Sequence, residues 1–208
     1  MSEPATVLDD GSSGFEATRR RLSPRQAGVV AQLVRATEQE VELVGYAGLT
    51  VRRVARRAGV APATAYNYFS SKDHLLAEVL WRGMQALPPV DDGPRRSVHD
   101  RVVEAVRAMV LLTSESAALV DASTQALLSN NSDVKHLRDL IGSEIHHRLA
   151  AAVGPGTDPM VVRVLETSFS GALLAAGMGH MSPMDIPEFV ATAADLMIGG
   201  GRSRARVR

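Results

Sequence analysis

Gly45-Tyr46-Ala47-Gly48-Leu49-Thr50-Val51-Arg52-Arg53-Val54-Ala55-Arg56-Arg57-Ala58-Gly59-Val60-Ala61-Pro62-Ala63-Thr64-Ala65-Tyr66-Asn67-Tyr68-Phe69-Ser70-Ser71-Lys72-Asp73-His74-Leu75-Leu76 is the stretch that decides the fold. Gly45 and Gly48 break whatever precedes it, and Thr50 carries a side chain that caps a helix over 51–58. That helix turns Val51, Val54, Ala55 and Ala58 to one side and Arg52, Arg53, Arg56 and Arg57 to the other. Gly59 permits a tight left-handed turn of the kind that joins two helices at a steep angle. Pro62 then opens a very short helix ending near Tyr68, and Ser70-Ser71-Lys72-Asp73 contains a capping box for a longer helix to about Leu87. Read together these are a helix-turn-helix, which holds a short helix at the angle needed to enter the major groove of DNA.

Upstream, Ser23-Pro24 starts a helix that runs to about Val44, with Val30, Leu33, Val34, Val41 and Val44 as its apolar stripe. Residues 1–22 are polar and without periodicity and are expected to be a disordered arm. Downstream, Pro88, Pro89, Asp91, Asp92, Gly93 and Pro94 form a loop. Helices are predicted beyond it at 97–112, 115–129, 134–152, 159–179 and 184–198, and Gly199-Gly200-Gly201 with the arginines after it predicts a flexible basic tail over 199–208. No stretch alternates like a strand. The expected fold is all-α, about nine helices, with a helix-turn-helix domain over 23–70 and a larger helical domain over 71–198, joined by the helix at 71–87.

The formal net charge of zero hides a segregation. Residues 18–82 hold 11 basic and five acidic side chains, whereas residues 83–201 hold 8 basic and 14 acidic ones. A cationic head on an acidic body suits a protein that presents one end to phosphate and keeps the other away from it. Cys is absent, which excludes disulfides and thiolate metal sites. No uninterrupted run of about 18 apolar residues and no signal-peptide core is evident, so a cytoplasmic protein without a membrane segment is expected.

In this order the residues resemble the TetR family of bacterial transcriptional regulators. The resemblance lies in Gly45-Tyr46, Leu49-Thr50-Val51, Val54-Ala55, Ala58-Gly59-Val60, Thr64, Tyr66, Tyr68-Phe69, Ser71-Lys72 and Leu75-Leu76, and covers about residues 23–85. It implies that Thr50, Tyr66 and Lys72 hold phosphate oxygens, which fixes register without reading sequence. On the short helix Pro62, Ala63, Thr64, Asn67 and Tyr68 lie where a recognition helix meets base edges and the thymine methyl. Arg52 and Arg53 on the preceding helix add cationic contacts, and Arg19-Arg20-Arg21 form a candidate minor-groove arm. Two positions depart from the family pattern. Ala61 stands where a capping Ser is common, and Ala65 where a larger aliphatic is usual, so the recognition helix is expected to be looser in the free protein than on DNA.

The resemblance further implies a homodimer, so that two recognition helices reach successive major grooves of a palindromic operator. Helices 159–179 and 184–198 are the candidate interface, through the small side chains Ser168, Gly171, Ala172, Ala175 and Ala176 and the apolar Met178, Met181, Met184, Phe189, Val190, Leu196 and Met197. It also implies an effector cavity within 83–180. Only Phe169 and Phe189 are aromatic between 83 and 201, against seven methionines, which disfavours an aromatic cage and favours an aliphatic effector. Met84, Met109, Leu112, Leu127, Ile141, Ile145 and Leu173 are the candidate lining.

No cofactor is expected. Asp139, Glu144, His146 and His147 tempt a metal reading, but His146 and His147 point about 100° apart on a helix, which leaves a poor ligand set. There is no nucleophile elbow, His-Glu-x-x-His signature or phosphate-cradling loop. The leading expectation is a dimeric, effector-released repressor. A DNA-architectural protein with the same head, and a small helical carrier or enzyme with a vestigial one, are the alternatives.

Overall fold

The computed structural model describes residues 23–90, 96–114 and 116–205, leaving aside the side chains of Ser114 and of residues 200–205. The arm at 1–22, with Arg19-Arg20-Arg21, and the last three residues lie outside this range. All regular structure among the described residues is helical: α1 (Pro24–Gly48), α2 (Val51–Arg57), α3 (Pro62–Tyr68), α4 (Lys72–Ala86), α5 (Val98–Ser114), α6 (Ala117–Leu127), α7 (Ser132–Val153), α8 (Pro159–Gly177) and α9 (Ile186–Ala205), with a 3-10 turn over Pro183–Asp185.

Local chemistry accounts for the helix ends. Ser23 caps α1, its hydroxyl accepting from the Gln26 amide while the Gln26 side chain accepts from the Ser23 amide. That reciprocal pair is a capping box, and it lies here rather than at Ser70-Ser71, where Ser71 accepts from the His74 amide and Asp73 serves another partner. Gly45 sits at φ 61, ψ −178 and kinks α1 three residues before its end. One boundary differs from expectation: α9 continues through Gly199-Gly200-Gly201 to Ala205, where the glycines predict an open tail. Glycine weakens a helix by about 1 kcal/mol per residue but does not forbid it.

Two cores organise the chain. The first gathers Val30, Leu33 and Val41 of α1, Leu49, Val54 of α2, Ala65 of α3, Phe69, and Leu75, Leu76 and Val79 of α4. It also takes in Ala122 and Ala126 of α6, both without solvent exposure. The helix-turn-helix head is therefore closed from the far side by a helix that follows it by more than thirty residues in sequence. The second core lies among α5, α7, α8 and α9, with Phe169 as its buried aromatic.

Helix α9 lies along α5 and α8. His99 of α5 ties it down, its Nδ1 2.7 Å from Asp195 and its Nε2 3.1 Å from Glu188. The Asp195 hydrogen bond raises the His99 pKa above its ordinary value; partial burial opposes this, and the charges of Asp195 and Glu188 add to it. Glu144, His146 and Asp139 are engaged separately, with Arg148, Glu166 and Lys135 respectively.

Candidate nucleic-acid interface

The interface begins at Thr50. Its backbone is extended, and its hydroxyl oxygen accepts from the Arg53 amide at 3.2 Å, capping α2. That bond uses the oxygen only as an acceptor, so the hydroxyl hydrogen stays available to an outside acceptor. Helix α2 ends in a two-bond turn: the Val60 amide donates to the Ala55 carbonyl at 2.9 Å and the Gly59 amide to the Arg56 carbonyl at 3.2 Å. Gly59 takes φ +66 to make it, a conformation that a Cβ would strain.

Helix α3 is then set by two inward residues. Ala65 and Phe69 have no exposed surface, and the Phe69 amide closes the last turn on Ala65. What remains faces out: Pro62, Ala63, Tyr66 and Asn67 are exposed, while Thr64 and Tyr68 are half-buried. Tyr68 packs against the head core, and Tyr66 shows 47% of its surface. As the sequence predicts, Ala61 supplies no side-chain cap.

The four arginines of α2 divide. Arg52 and Arg56 are exposed. Arg53 and Arg57 instead reach back to Glu40 of α1, donating to its two carboxylate oxygens at 3.1 and 2.8 Å. Four unencumbered arginines are therefore not what this face presents, because Glu40 lies on the inward side of α1 and is 4% exposed. Burial by itself would push its carboxyl up. The hydrogen bonds and charges of Arg57 and Arg53 outweigh that and hold it below its ordinary value.

A depressed carboxyl contributes stability that is present above its unfolded pKa and is lost as pH falls through the folded one. Glu40→Gln is accordingly expected to lower stability at pH 7 by about 1.5–3 kcal/mol, the range for a hydrogen bond to a charged group. The deficit should shrink toward pH 3. Urea midpoints at the two pH values read it, and an equal deficit at both would show that charge is not what holds α2 to α1.

Lys72 opens α4 and is held by a residue that sequence spacing does not connect to it. Its Nζ lies 3.7 Å from the centroid of the Tyr46 ring and donates to the Tyr46 carbonyl at 2.8 Å. The Tyr46 hydroxyl in turn donates to Asp73 Oδ1 at 2.8 Å. Burial, then the Asp73 hydrogen bond, then the charges of Asp73 and Asp121 push the Tyr46 hydroxyl up to about 12, so it remains a donor. One ammonium hydrogen is spent on Tyr46 and the others remain for an anion.

The candidate effector lining is only partly brought together. Met84, Met109, Leu112, Ile145 and Leu173 converge on the body core. Leu127 belongs instead to a small cluster with Ala77, Val134 and Leu137, and Ile141 is buried on α7. Among the described residues, Glu78 Oε2 on α4 and Ser123 Oγ on α6 are buried and find no hydrogen-bond partner.

Of the small residues of α8, Ala172 is buried and Ala176 packs on the body core, Ser168 and Ala175 are half-buried, and Gly171 is exposed. Val190 is buried too, and Met181 and Met197 pack on the same core. The outward face is made by larger groups. Met160, Val164 and Leu174 are exposed on α8 and Met178 at its C-cap, with Thr167 and Gly171 between them at helical spacing. Met184, Phe189 and Leu196 are exposed beside them. Helix α8 is long and apolar enough to cross a membrane by length and composition, but Val162, Leu165, Phe169 and Ala172 occupy one of its faces with core packing.

Comparison with known proteins agrees with this geometry. Residues 33–79 match the model of bacterial regulatory proteins of the tetR family. The chain is 40% identical over 178 residues to an HTH-type transcriptional regulator of Mycobacterium tuberculosis, covering 85% of this chain and 83% of that one. It is 28% identical to the HTH-type transcriptional repressor KstR of Mycolicibacterium smegmatis, covering 93% and 94%. Among solved structures, the transcriptional regulator FadR from Bacillus subtilis in complex with stearoyl-CoA superposes with a TM-score of 0.58 at 16% identity, over 82% of this chain and 98% of that one, which shows a shared fold. A reading helix bared by its own short core, followed by this many helices in this order, thus has its explanation in descent: the chain belongs to the tetR family of bacterial regulatory proteins.

Proposed function

We propose that this regulator is a dimeric, cytoplasmic repressor that occludes a palindromic operator and is released by a small, largely apolar effector. The exposed face of α3 carries the reading: Pro62, Ala63, Tyr66 and Asn67 lie open on a helix whose other side is sunk in the head core. Thr64 and Tyr68 flank that face, and Thr50, Tyr66 and Lys72 are the phosphate contacts, with Arg52 beside them. Arg53 contributes through whatever part of its guanidinium Glu40 leaves open. The second copy seats on the exposed apolar side chains of α8 and α9, Met160, Val164, Leu174, Phe189 and Leu196 among them. The repressor named above, similar over nearly the whole chain, supports the direction of control.

The effector site falls in the body core around Met84, Met109, Leu112, Ile145 and Leu173, with Ile141 and Leu127 at its margins. FadR, which shares this fold, binds stearoyl-CoA, an apolar chain with a polar end.

Selection from a random duplex library with the purified protein tests the reading. Two inverted half-sites about 10 base pairs apart, centre to centre, are expected. Recovery of no common sequence would favour an architectural protein. On the selected duplex, Lys72→Ala combined with Tyr66→Phe is expected to weaken binding and to flatten the log–log salt slope by about 2, at ~0.9 for the phosphate that each of the two heads no longer neutralises. Anisotropy titrations between 50 and 200 mM salt read the slope; one identical to the parent's would remove these residues from the interface.

A further inference from the structure

Helix α4 carries the chain from the reading head into the body, and both of its ends are held by the same neighbour. At its start the Ser70 hydroxyl donates to Asp133 Oδ2 at 2.7 Å, and the Asn131 side-chain amide donates to the Ser70 oxygen at 3.4 Å. His74 Nδ1 lies 3.8 Å from the same Asp133 oxygen. At its far end Arg148, 7% exposed, spreads its guanidinium over the terminal carbonyls of α4. One Nη donates to Pro88 at 2.9 Å, the other to Leu87 at 3.1 Å and Met84 at 3.4 Å, and Nε donates to Glu144 at 2.8 Å.

Asp133 and Arg148 both belong to α7 and stand roughly 15 residues apart, about 22 Å at ~1.5 Å per residue. The carbonyls and side chains they hold are separated by nearly the same length along α4. The two helices therefore run parallel and in step. Between the anchors Ala77, Val134 and Leu137 are fully buried, with Trp81 and Leu140 packed over them.

We infer that Arg148 is a positioning residue for DNA binding: by gripping the C-terminal carbonyls of α4 it locks α4 to α7 as one beam and so sets where the reading head stands relative to the body. The inference rests on the DNA-binding reading for its functional meaning, though not for its geometry. Arginine suits the task because a planar fork presents several N–H groups in fixed, diverging directions, as three carbonyls at a helix end require. A cation is also favoured at that end of the helix dipole. Neither helix can slide by a turn without stripping a buried guanidinium of its acceptors, which is strongly unfavourable. A ligand that displaces α7 would thus move α4, and with it the head, as a unit.

The chain has no cysteine, so a pair introduced for spin labelling is uncontaminated. Gln39→Cys on α1 and Arg107→Cys on α5, both exposed, report the head-to-body distance within one chain when labelled protein is diluted into unlabelled protein. The parent should give a narrow distance distribution, and Arg148→Met should broaden it or shift it by several ångströms with helicity retained. On duplexes selected by the parent, R148M should also tolerate insertion of one or two base pairs between half-sites, where the parent loses at least tenfold in affinity.

A folded R148M with the parent's distribution overturns the inference. If R148M does not fold, Arg148→Lys, which keeps the charge but loses the diverging N–H fork, decides in the same way: a broadened distribution supports the inference, an unchanged one sinks it. Because the distance is read without DNA, it fails or holds independently of the library selection, whose failure would sink the functional reading alone.

Discussion

Replacing Leu174 and Leu196 together by Glu is expected to leave the protein folded and monomeric. Both side chains are open in the single chain, at 43% and 73% exposure, so charge there costs the monomer little. In the proposed dimer the same positions lie within a strip that runs from Met160 on α8 to Met178 at its C-cap and beside Phe189 on α9. Four carboxylates brought into one apolar interface would be desolvated and mutually repelling, which outweighs the area gained by pairing. A monomer presents one head at a time, and joining two heads is worth about 10²–10⁴ in affinity without any new contact. Binding to a two-half-site duplex should therefore fall by about that factor, while binding to an isolated half-site should hardly change. Sedimentation velocity and anisotropy check the two parts separately. A double variant that remains dimeric would place the interface elsewhere.

The second large effect concerns stability. Ala122→Glu places a longer, ionisable side chain into the seam where α6 closes the head core, at a position with no exposed surface. The apolar residues gathered in the same core, Leu75, Leu76 and Val79 of α4 and Val30, Leu33 and Val41 of α1, offer no hydrogen bond to a carboxylate. Overpacking and an unpaired buried charge add, and a loss of about 3–5 kcal/mol is expected, visible as a lowered urea midpoint. Ala117→Glu in the exposed first turn of the same helix should move the midpoint by no more than about 0.5 kcal/mol. Equal effects from the two would show that α6 does not complete the head.

That seam marks where sequence reading stops. The order of helices is legible because capping residues, glycines and apolar periodicity are local signals. Thr50, Gly59 and Pro62 each act on backbone within a few residues of themselves, and the observed ends of α2 and α3 fall within one residue of those predicted. Which side of α3 faces outward is legible for the same reason. Glu40 also carries a signal, since it falls three and four residues from Thr37 and Ala36 on the inward stripe of α1; taking it for one more surface acid leaves Arg53 and Arg57 free, whereas they are paired. The partnership of Tyr46 with Lys72 carries no such signal. A cation resting on a ring 26 residues away depends on how α1 meets α4, and neither helix encodes that alone.

Residue order by itself determined an all-helical chain, a helix-turn-helix at 50–68 and a cationic head on an acidic body, because helix period, caps and charge are properties of short segments. Only the tertiary structure decided which residues of α8 face outward, that α6 finishes the head core, and that α7 grips α4 at both ends. Those are facts about surfaces meeting, and a surface takes its partner from the whole fold, where many pairings satisfy the local pattern equally and close packing selects one.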